Sequence, residues 1–318
     1  MVRGISALMP VRNGEIFLTS SISSIEMNQK WLNEILIVDD GSTDKTAWIL
    51  KEWAEKNSKV RILRTGGLGL VKSLNLGLSE SNYEFVARFD VDDKYSADRI
   101  EQQSQYLTPS TAAVFSDYSL WSQRNGFLGE IPSAIFPHAT SISLISAQRS
   151  AHPSVIYSRE AVLDAGGYRE SDFPAEDYSL WLRLAKTKAL ISVPKVLLNY
   201  CLSSGSVSFS HRESMMKKTL ELRLDIGINR NDYLISLDKL PLTLKEYEDY
   251  ESAKVRKLLH LSDLFKVSLQ IQNSERDRRL ILSHLYKELR SKNGYVDSLQ
   301  FGLRSLHRKF IRLTMRSL

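Results

Sequence analysis

The first hundred residues alternate between two hydrophobic patterns. Short runs of apolar and β-branched residues, typical of buried strands, are each followed by a longer stretch with helical spacing. The predicted strands are residues 5–9, 34–38, 60–63 and 85–89, and the predicted helices are residues 14–27, a stretch through Trp48 and Trp53, and residues 71–78. We expect Ser42 or Thr43 to cap the second helix. This alternation predicts an α/β layer with a mainly parallel sheet.

Three carboxylates follow the fourth predicted strand within four residues: Asp90, Asp92 and Asp93. Anions this close repel one another, and a divalent cation or a sugar hydroxyl in the same site reduces that repulsion. Mg²⁺ and Mn²⁺ prefer oxygen ligands and can bridge a diphosphate to one or two carboxylates. We therefore predict a metal–diphosphate site; a solvated acidic loop that caps the next helix is the alternative.

Polar residues also follow two other predicted strands. Residues 10–13 read Pro-Val-Arg-Asn, and residues 39–42 read Asp-Asp-Gly-Ser. Ligands bind beyond the carboxyl ends of the strands in such sheets. The three polar segments should therefore share one rim, which favours a binding site over three unrelated turns.

A glycine-rich segment, residues 65–69, precedes the third helix. It has neither the dinucleotide fingerprint after a strand nor the spacing of a P-loop. We interpret it as a mobile loop near the ligand. Lys72 and Asn75 lie on the following helix and either face the nucleotide or belong to a solvated face.

The middle of the chain is less regular. Residues 112–115 predict a strand, residues 122–150 are rich in Ser, Gly and Pro, and residues 151–157 look extended before a short helix at 159–164. His152 precedes Pro153, which restricts it to extended geometry. A single histidine in this context favours a structural role over a catalytic one.

A second carboxylate pair, Glu176 and Asp177, begins a predicted helix. Asp177 shares a helical face with Leu180, Trp181 and Leu184, so we expect it to point toward the protein body and Glu176 to point about 100° away. The free N–H groups and dipole of a helix N-terminus keep a carboxylate anionic, as a general base requires. The alternative is that both residues merely complement the dipole.

Together, these segments resemble glycosyltransferase family 2, whose members are inverting enzymes of GT-A fold. The matching segments are residues 8–13, 37–44, 74–78, 89–93 and 175–183. The resemblance extends over about residues 4–210. It implies an α/β GT-A domain, with a Rossmann-like mixed sheet and flanking helices, and a nucleotide-diphosphate-sugar donor, with a UDP-sugar the expected one. It also implies a divalent metal, Mn²⁺ or Mg²⁺.

The resemblance also assigns roles. The family's base-contacting aspartate falls on Asp39 or Asp40, its Asp-x-Asp on Asp90 and Asp92, and its catalytic base on Asp177, with Glu176 beside it. The residues expected to contact the nucleotide sugar are Pro10, Arg12, Asn13, Asp39, Asp40, Lys72, Asn75, Asp90 and Asp92. The expected metal ligands are Asp92 and Asp93, and His211 is the nearest histidine to the family's metal-contacting one.

The Gln-x-x-Arg-Trp signature of processive family members is absent, so we expect single transfers to a saccharide or lipid-linked saccharide acceptor in cell-surface glycan synthesis. One alternative is a non-catalytic nucleotide-sugar-binding or scaffold protein of the same fold. A nucleotide-sugar pyrophosphorylase would need a Gly-rich, basic loop after its first strand, which residues 9–14 do not supply. A dehydrogenase would need G-x-G-x-x-G there.

Composition adds limits to this picture. The 318 residues include one cysteine, Cys201, which excludes an intramolecular disulfide and fits a reducing compartment. The N-terminus lacks a signal-peptide run and no segment is apolar enough to span a membrane, so we expect a cytoplasmic protein. The net charge of +6 is compatible with anionic ligands without selecting one; no nucleic-acid partner is expected.

We divide the chain into a nucleotide-sugar-binding half at 1–110, an acceptor-binding half at 111–212 and a C-terminal helical region at 213–318. Residues 301–318 interleave apolar and basic positions at helical spacing. Such a helix either lies in an anionic membrane surface, at the inner face of the membrane, or docks its apolar side on the core.

Overall fold

A mixed sheet of nine strands forms the centre of the chain in the computed structural model. The structure describes residues 2–122, 126–133, 150–185, 188–202 and 210–225. All of them belong to one compact unit, and a second unit, residues 145–147 and 228–318, lies outside the described residues. The predicted C-terminal helices beyond residue 225, including the basic stretch 301–318, also lie outside them.

The strands are β1 (Val2–Val11), β2 (Glu34–Asp39), β3 (Val60–Arg64), β4 (Tyr83–Arg88), β5 (Lys94–Tyr95), β6 (Thr111–Ser122), β7 (Gly126–Ile131), β8 (Ile156–Ser158) and β9 (Ala189–Leu202). The helices are α1 (Glu15–Asn28), α2 (Thr46–Lys56), α3 (Leu70–Glu80), α4 (Arg99–Ser104), α5 (Arg159–Asp164), α6 (Glu176–Leu184) and α7 (Arg212–Asp225). Short 3₁₀ turns cover His152–Ser154 and Glu170–Asp172.

The strand order is β3-β2-β1-β4-β8-β6-β9-β5, and β7 pairs with β6. Strands β1 to β4 are mutually parallel: Ala7 of β1 lies opposite Ile35 of β2 and Ala87 of β4. Their carboxyl ends therefore meet at one edge, as the sequence predicts. The prediction of a mainly parallel sheet is correct for these strands. In the rest of the sheet β6 and β9 also pair in parallel, whereas β8 runs antiparallel to both β4 and β6.

Two apolar layers cover the faces of the sheet. One contains α3, α5 and α6, and its largest fully buried side chain is Trp181, which packs edge-on against Phe115 of β6 at 5.1 Å between ring centroids. The other contains α1 and α2, with Leu18, Ile25 and Leu50 fully buried. Apolar faces pack on both sides of β1 and β2, which explains their continuous hydrophobic runs.

Three local predictions differ from the structure. Helix α2 has Lys45 at its N-cap position and no side-chain cap, so neither Ser42 nor Thr43 caps it; just before the helix, Oδ1 of Asp44 accepts the N–H of Thr46 at 3.0 Å. Strand β6 continues seven residues beyond the predicted end at Phe115, to Ser122. The segment after Ala151 forms a 3₁₀ turn before β8, although it was expected to be extended throughout.

None of the helices in the described part of the chain is both long and apolar enough to cross a membrane.

Candidate active site

The polar ends of β1 and β2 are joined by hydrogen bonds. The N–H of Asn13 donates to Oγ of Ser42 at 2.9 Å, and Oδ1 of Asn13 accepts the N–H of Thr43 at 2.8 Å. Asn13 has a left-handed backbone, with φ of 54°. Pro10 lies opposite Val38 in the β1–β2 ladder. The predicted rim is therefore a continuous surface over these two strands.

Asp39 and Asp40 have different surroundings, although both are buried. Oδ1 of Asp39 accepts the N–H of Ser42 at 3.0 Å, and Oδ2 lies 3.7 Å from Nε of Arg64 without a hydrogen bond. Asp40 accepts the backbone N–H groups of Leu68 at 2.6 Å and Gly69 at 2.8 Å. Burial alone would raise the pKa of Asp40, but these bonds and the Thr65 hydroxyl lower it overall.

The glycine-rich loop is thus anchored to the rim through Asp40. Gly67 has φ of 92°, and a Cβ added there would lie 3.6 Å from Nη1 of Arg12. Arg12 is exposed beside this loop. The loop and Arg12 together form one wall of the rim.

Lys72 and Asn75, which were expected to face either the nucleotide or solvent, make different contacts. Nζ of Lys72 lies 3.4 Å from Oε1 of Glu170, with both side chains exposed. Asn75 is engaged with the backbone of Tyr168: its Nδ2 donates to the carbonyl at 2.8 Å, and its Oδ1 accepts the N–H at 2.9 Å. The Asn75 amide therefore holds the segment before α6, and its contact with the nucleotide remains a prediction.

The acidic segment after β4 surrounds a buried cation. Nη2 of Arg88 lies 2.5 Å from Oδ1 of Asp90, and Arg88 is 2% exposed. Burial, followed by the charge of Asp90, raises the pKa of Asp92 to about 6. Burial, followed by the charges of Asp92 and Asp90, raises the pKa of Asp93 well above its usual value. The three carboxyl groups therefore act on one another, as their spacing in sequence predicts.

Asp93 connects this segment to strand β9. Its Oδ1 accepts the backbone N–H of Cys201 at 2.8 Å, and its Oδ2 is buried without a hydrogen-bond partner. A buried carboxylate oxygen without a donor, next to two other carboxylates, fits a site that a cation would complete.

The expected metal ligands do not form a complete set. Across the described ranges, no three His, Cys, Asp or Glu side chains are arranged so that they alone could hold a metal ion. His211 is exposed, stacks edge-on against Phe173 and lies 3.0 Å from Oγ of Ser210 through Nδ1. The structure thus does not bring His211 together with Asp92 and Asp93 as the prediction required.

Helix α6 presents its two acidic residues differently from the prediction. Glu176 is 4% exposed, whereas Asp177 is only partly buried and its Oδ1 accepts the N–H of Tyr178 at 2.6 Å. The expectation that Glu176 points away from the protein body is wrong, because α6 is buried on nearly all sides and has no solvated face near its start. Leu180 and Trp181 are buried as predicted.

Glu176 lies within electrostatic reach of the acidic segment. Burial, followed by the charge of Asp177, raises the pKa of Glu176 to about 8; Asp90 adds to this effect, and Arg88 opposes it. A carboxyl with that pKa is mostly protonated at neutral pH. The start of α6 and the end of β4 therefore form one cluster of ionisable groups.

Two buried residues, Tyr95 and Arg99, pack around the backbone of the acidic segment. The N–H of Asp90 donates to the hydroxyl of Tyr95 at 2.6 Å. The guanidinium of Arg99 lies 4.6 Å from the ring centroids of both Tyr95 and Phe89. These contacts fix the backbone that carries the carboxylates.

His152 has a structural position, in keeping with its interpretation from sequence. Its Nε2 lies 2.9 Å from the Tyr168 hydroxyl, and its ring packs edge-on against Trp181. Burial, followed by the charge of Arg88, lowers its pKa well below the usual value. A neutral, enclosed imidazole of this kind packs within the core.

Arg88, Tyr95 and Arg99 belong to the site although they lie outside the predicted site residues. Arg88 gives the clearest signal, since a charged residue interrupts an otherwise apolar central strand. Charged residues are almost never fully buried unless they are paired. An arginine in that place therefore predicts a buried acidic partner.

Comparisons with known proteins agree with this geometry. The family model described as Glycosyl transferase family 2 matches residues 6–138. An uncharacterised glycosyltransferase of Haemophilus influenzae is 26% identical over 318 residues, which cover 89% of this chain and 97% of the relative. The O-antigen biosynthesis glycosyltransferase WbnJ of Escherichia coli is 28% identical over 237 residues, which cover 68% of this chain and 91% of WbnJ.

Two solved structures share the fold. Residues 1–349 of S. aureus TarS, in complex with UDP-GlcNAc, superpose with a TM-score of 0.59 at 16% identity, covering 94% of this chain and 92% of that one. The mannosyltransferase PcManGT from Pyrobaculum calidifontis, in complex with GDP-Man and Mn²⁺, gives a TM-score of 0.55 at 15% identity, covering 99% and 84%. The sequence motifs, the mixed sheet and these likenesses agree: residues 6–138 carry a glycosyltransferase family 2 domain, and the chain has the GT-A fold.

Proposed function

We propose that this enzyme transfers a sugar, with inversion, from a nucleotide-diphosphate-sugar to a hydroxyl group of a saccharide or lipid-linked saccharide. The observation that carries the proposal is the single cluster formed by Asp90, Asp92, Glu176 and Asp177 near the buried Arg88. Glycosyl transfer needs a site where the negative charge of the leaving diphosphate is neutralised, here by a bound cation. It also needs a base that takes the proton of the acceptor hydroxyl. This cluster offers residues for both.

The names of relatives support the substrate class. WbnJ is described as acting in O-antigen biosynthesis, and TarS has been solved with UDP-GlcNAc. We infer that this chain acts in cell-surface glycan synthesis and that a UDP-sugar is its donor.

For the donor, we infer that the nucleotide lies over the rim formed by Pro10, Arg12 and Asn13. Asp39 or Asp40 would accept a hydrogen bond from the base. Arg12, exposed beside Gly67, would offer a positive charge to the diphosphate. Lys72 would contribute only by leaving Glu170.

A divalent cation, Mn²⁺ or Mg²⁺, would be held by Asp92 and Asp93, with its other ligands supplied by the diphosphate and water. When bound, such a cation neutralises charge on the departing diphosphate. The orphan Oδ2 of Asp93 and the raised pKa of Asp92 support this assignment. The Mn²⁺ in the PcManGT complex is consistent with it.

The proton is assigned to Asp177. Asp177 would accept it from the acceptor hydroxyl as the hydroxyl oxygen bonds to the anomeric carbon from the face opposite the diphosphate. The bond between that carbon and the diphosphate oxygen breaks in the same displacement, so the configuration inverts. Glu176, protonated at neutral pH because its pKa is about 8, is suited to donate a hydrogen bond and cannot accept the proton.

A screen of nucleotide sugars tests the proposal. Thermal shift with Mn²⁺ identifies the donor, and release of the nucleotide diphosphate then reports turnover; the anomeric configuration of the product is read by NMR. We expect one donor to stabilise the protein and to be turned over with inversion. If a donor stabilises the protein but is not turned over with any acceptor tested, the chain is a nucleotide-sugar-binding protein. If the product retains the anomeric configuration of the donor, Asp177 is not the base.

A further inference from the structure

A row of side chains extends from helix α6 along strand β6. Phe115 packs against Trp181 of α6. Alternate residues of a strand project from the same face, so Asp117, Ser119 and Trp121 lie on the face that carries α6. This row therefore begins beside Trp181 of α6 and ends at Trp121.

The row ends in an exposed aromatic pair. Trp121 is 40% exposed and Phe127 of the neighbouring strand β7 is 53% exposed, and their rings meet edge-on with centroids 5.7 Å apart. The indole N–H of Trp121 donates to Oγ of Ser119 at 2.9 Å, and that hydroxyl donates to Oδ1 of Asn199 at 2.5 Å. The aromatic surface is thus held in one orientation and remains open to solvent.

The pair is joined to the acidic segment through strand β9. Trp121 lies opposite Cys201 in the β6–β9 ladder, and the N–H of Cys201 donates to Oδ1 of Asp93. Since facing residues in neighbouring strands are about 5 Å apart, the aromatic pair lies one strand away from the backbone group that Asp93 binds.

We propose that Trp121 and Phe127 bind a sugar ring of the acceptor, one beyond the ring that receives the new sugar. This inference rests on the proposed glycosyl transfer. The apolar C–H face of a sugar ring packs on a flat aromatic surface, while the hydroxyl groups at its edge need polar partners. Asn199 and the exposed Lys94, which lie opposite each other in the β5–β9 ladder, offer such partners beside the pair.

A saccharide suits this surface because the aromatic pair is connected to the acidic segment through strand β9 and is flanked by polar groups. Under the proposed function, the donor would lie at the ends of β1 to β4. A second copy of the chain and a membrane surface are alternative occupants, and the test below distinguishes them.

Binding to an array of immobilised oligosaccharides tests the proposal, using the full chain and its variants. We expect Trp121→Ala and Phe127→Ala to bind the retained oligosaccharides about tenfold more weakly or worse, as truncation of a central aromatic contact typically does. Trp121→Phe should recover part of the binding. Trp48→Ala is the matched control, because Trp48 is 59% exposed on α2 and should bind as the wild type does.

Thermal shift with the donor and Mn²⁺, measured on the same variants, should be unchanged, which separates this proposal from the proposed function. If the donor shift is present but Trp121→Ala binds oligosaccharides as the wild type does, the aromatic pair is not an acceptor site and the glycosyl transfer stands. The proposal is also overturned if the wild type retains no oligosaccharide on the array. It is overturned as well if Trp121→Ala changes the oligomeric state of the protein or its co-sedimentation with vesicles, since the pair would then bind a second copy or a membrane. Absence of a donor shift in the wild type refutes the proposed function itself.

Discussion

Nη2 of Arg88 and Oδ1 of Asp90 lie 2.5 Å apart, and the arginine is almost completely buried. The positive charge of Arg88 also opposes the increases in the pKa values of Asp92, Asp93 and Glu176. One cation from a central strand therefore limits the repulsion among carboxyl groups that come from two separate parts of the chain.

Replacing Arg88 should be strongly destabilising. We expect Arg88→Gln to lower the free energy of unfolding by about 3 kcal/mol, because it leaves the carboxylate of Asp90 without its partner in a largely buried cluster. Urea denaturation measures the change. Lys51→Gln, which removes an exposed ion pair with Glu55 at 3.9 Å, should change the same quantity by less than about 0.5 kcal/mol. Similar losses in the two variants would show that Arg88 does not stabilise the cluster.

The base assignment is tested by two isosteric changes at the start of α6. We expect Asp177→Asn to keep donor binding and to lower the transfer rate by roughly 10²–10⁴-fold, because the amide cannot accept the proton. Glu176→Gln should retain much more activity, since a protonated carboxyl and an amide are both hydrogen-bond donors. Kinetics with saturating donor measure both. The opposite ranking would assign the base to Glu176.

Glu176 should make stability depend on pH. Its pKa is about 8 in the folded protein against an ordinary 4.5, so the folded state binds the proton more tightly. Its contribution is fully present below about pH 4.5 and is lost as pH rises through about 8. The thermal midpoint of Glu176→Gln, relative to the wild type, should therefore increase from about pH 5 to about pH 9.

Glu160→Gln is the control for this measurement, because Glu160 is exposed in the first turn of α5. Its midpoint should run parallel to that of the wild type over the same pH range. A Glu176→Gln curve that also runs parallel would mean that Glu176 is ionised in the folded protein at neutral pH.

The metal assignment predicts a loss of donor binding that depends on the cation. Asp92→Asn and Asp93→Asn should each strongly weaken donor binding with Mn²⁺ present, because each removes a charged ligand from a site with few carboxylates. Asp164→Asn, at an exposed carboxyl at the end of α5, should bind as the wild type does. Isothermal titration with and without a chelator makes the comparison. Equal donor affinity of the wild type under both conditions would refute the assignment.

Two adjacent glycines provide a matched pair of backbone tests. Gly166 and Gly167 have φ of 83° and 64°, so an L side chain is strained at either position. A Cβ at Gly167 would lie only 2.7 Å from Oδ1 of Asn75, whereas the contacts at Gly166 are 4.0 Å away. We expect Gly166→Ala to cost about 1 kcal/mol of stability and Gly167→Ala clearly more, by urea denaturation. Equal costs would show that the Asn75 contact with the Tyr168 backbone yields easily.

The parallel half of the fold was predictable because its strands are buried on both faces. Continuous runs such as that of β2 leave few other conformations. Strands β5, β7 and β9 were not predicted: β5 has only two residues, and Pro194 interrupts β9 where its register with β6 shifts. Pairing across such irregularities depends on tertiary contacts that no local pattern records.

The site residues that directly follow strands were predictable from the sequence. The orientation and partners of the others were less predictable, because they depend on burial. The carboxylates at 90–93 and the rim at 39–42 lie where the strand pattern puts them. The orientation of Glu176 was not predictable, because helical periodicity assumes one solvated face and α6 is enclosed. The bond between Asn75 and the Tyr168 backbone was not predictable either, because the two residues are 93 positions apart in the sequence.

The bond that anchors Asp93 comes from the main chain of Cys201. Every amino acid except proline supplies the same N–H group, so the thiol plays no part in this contact. Replacing the side chain at position 201 therefore leaves this anchor of the acidic segment in place. In a saturation scan of this position, proline alone removes the donor.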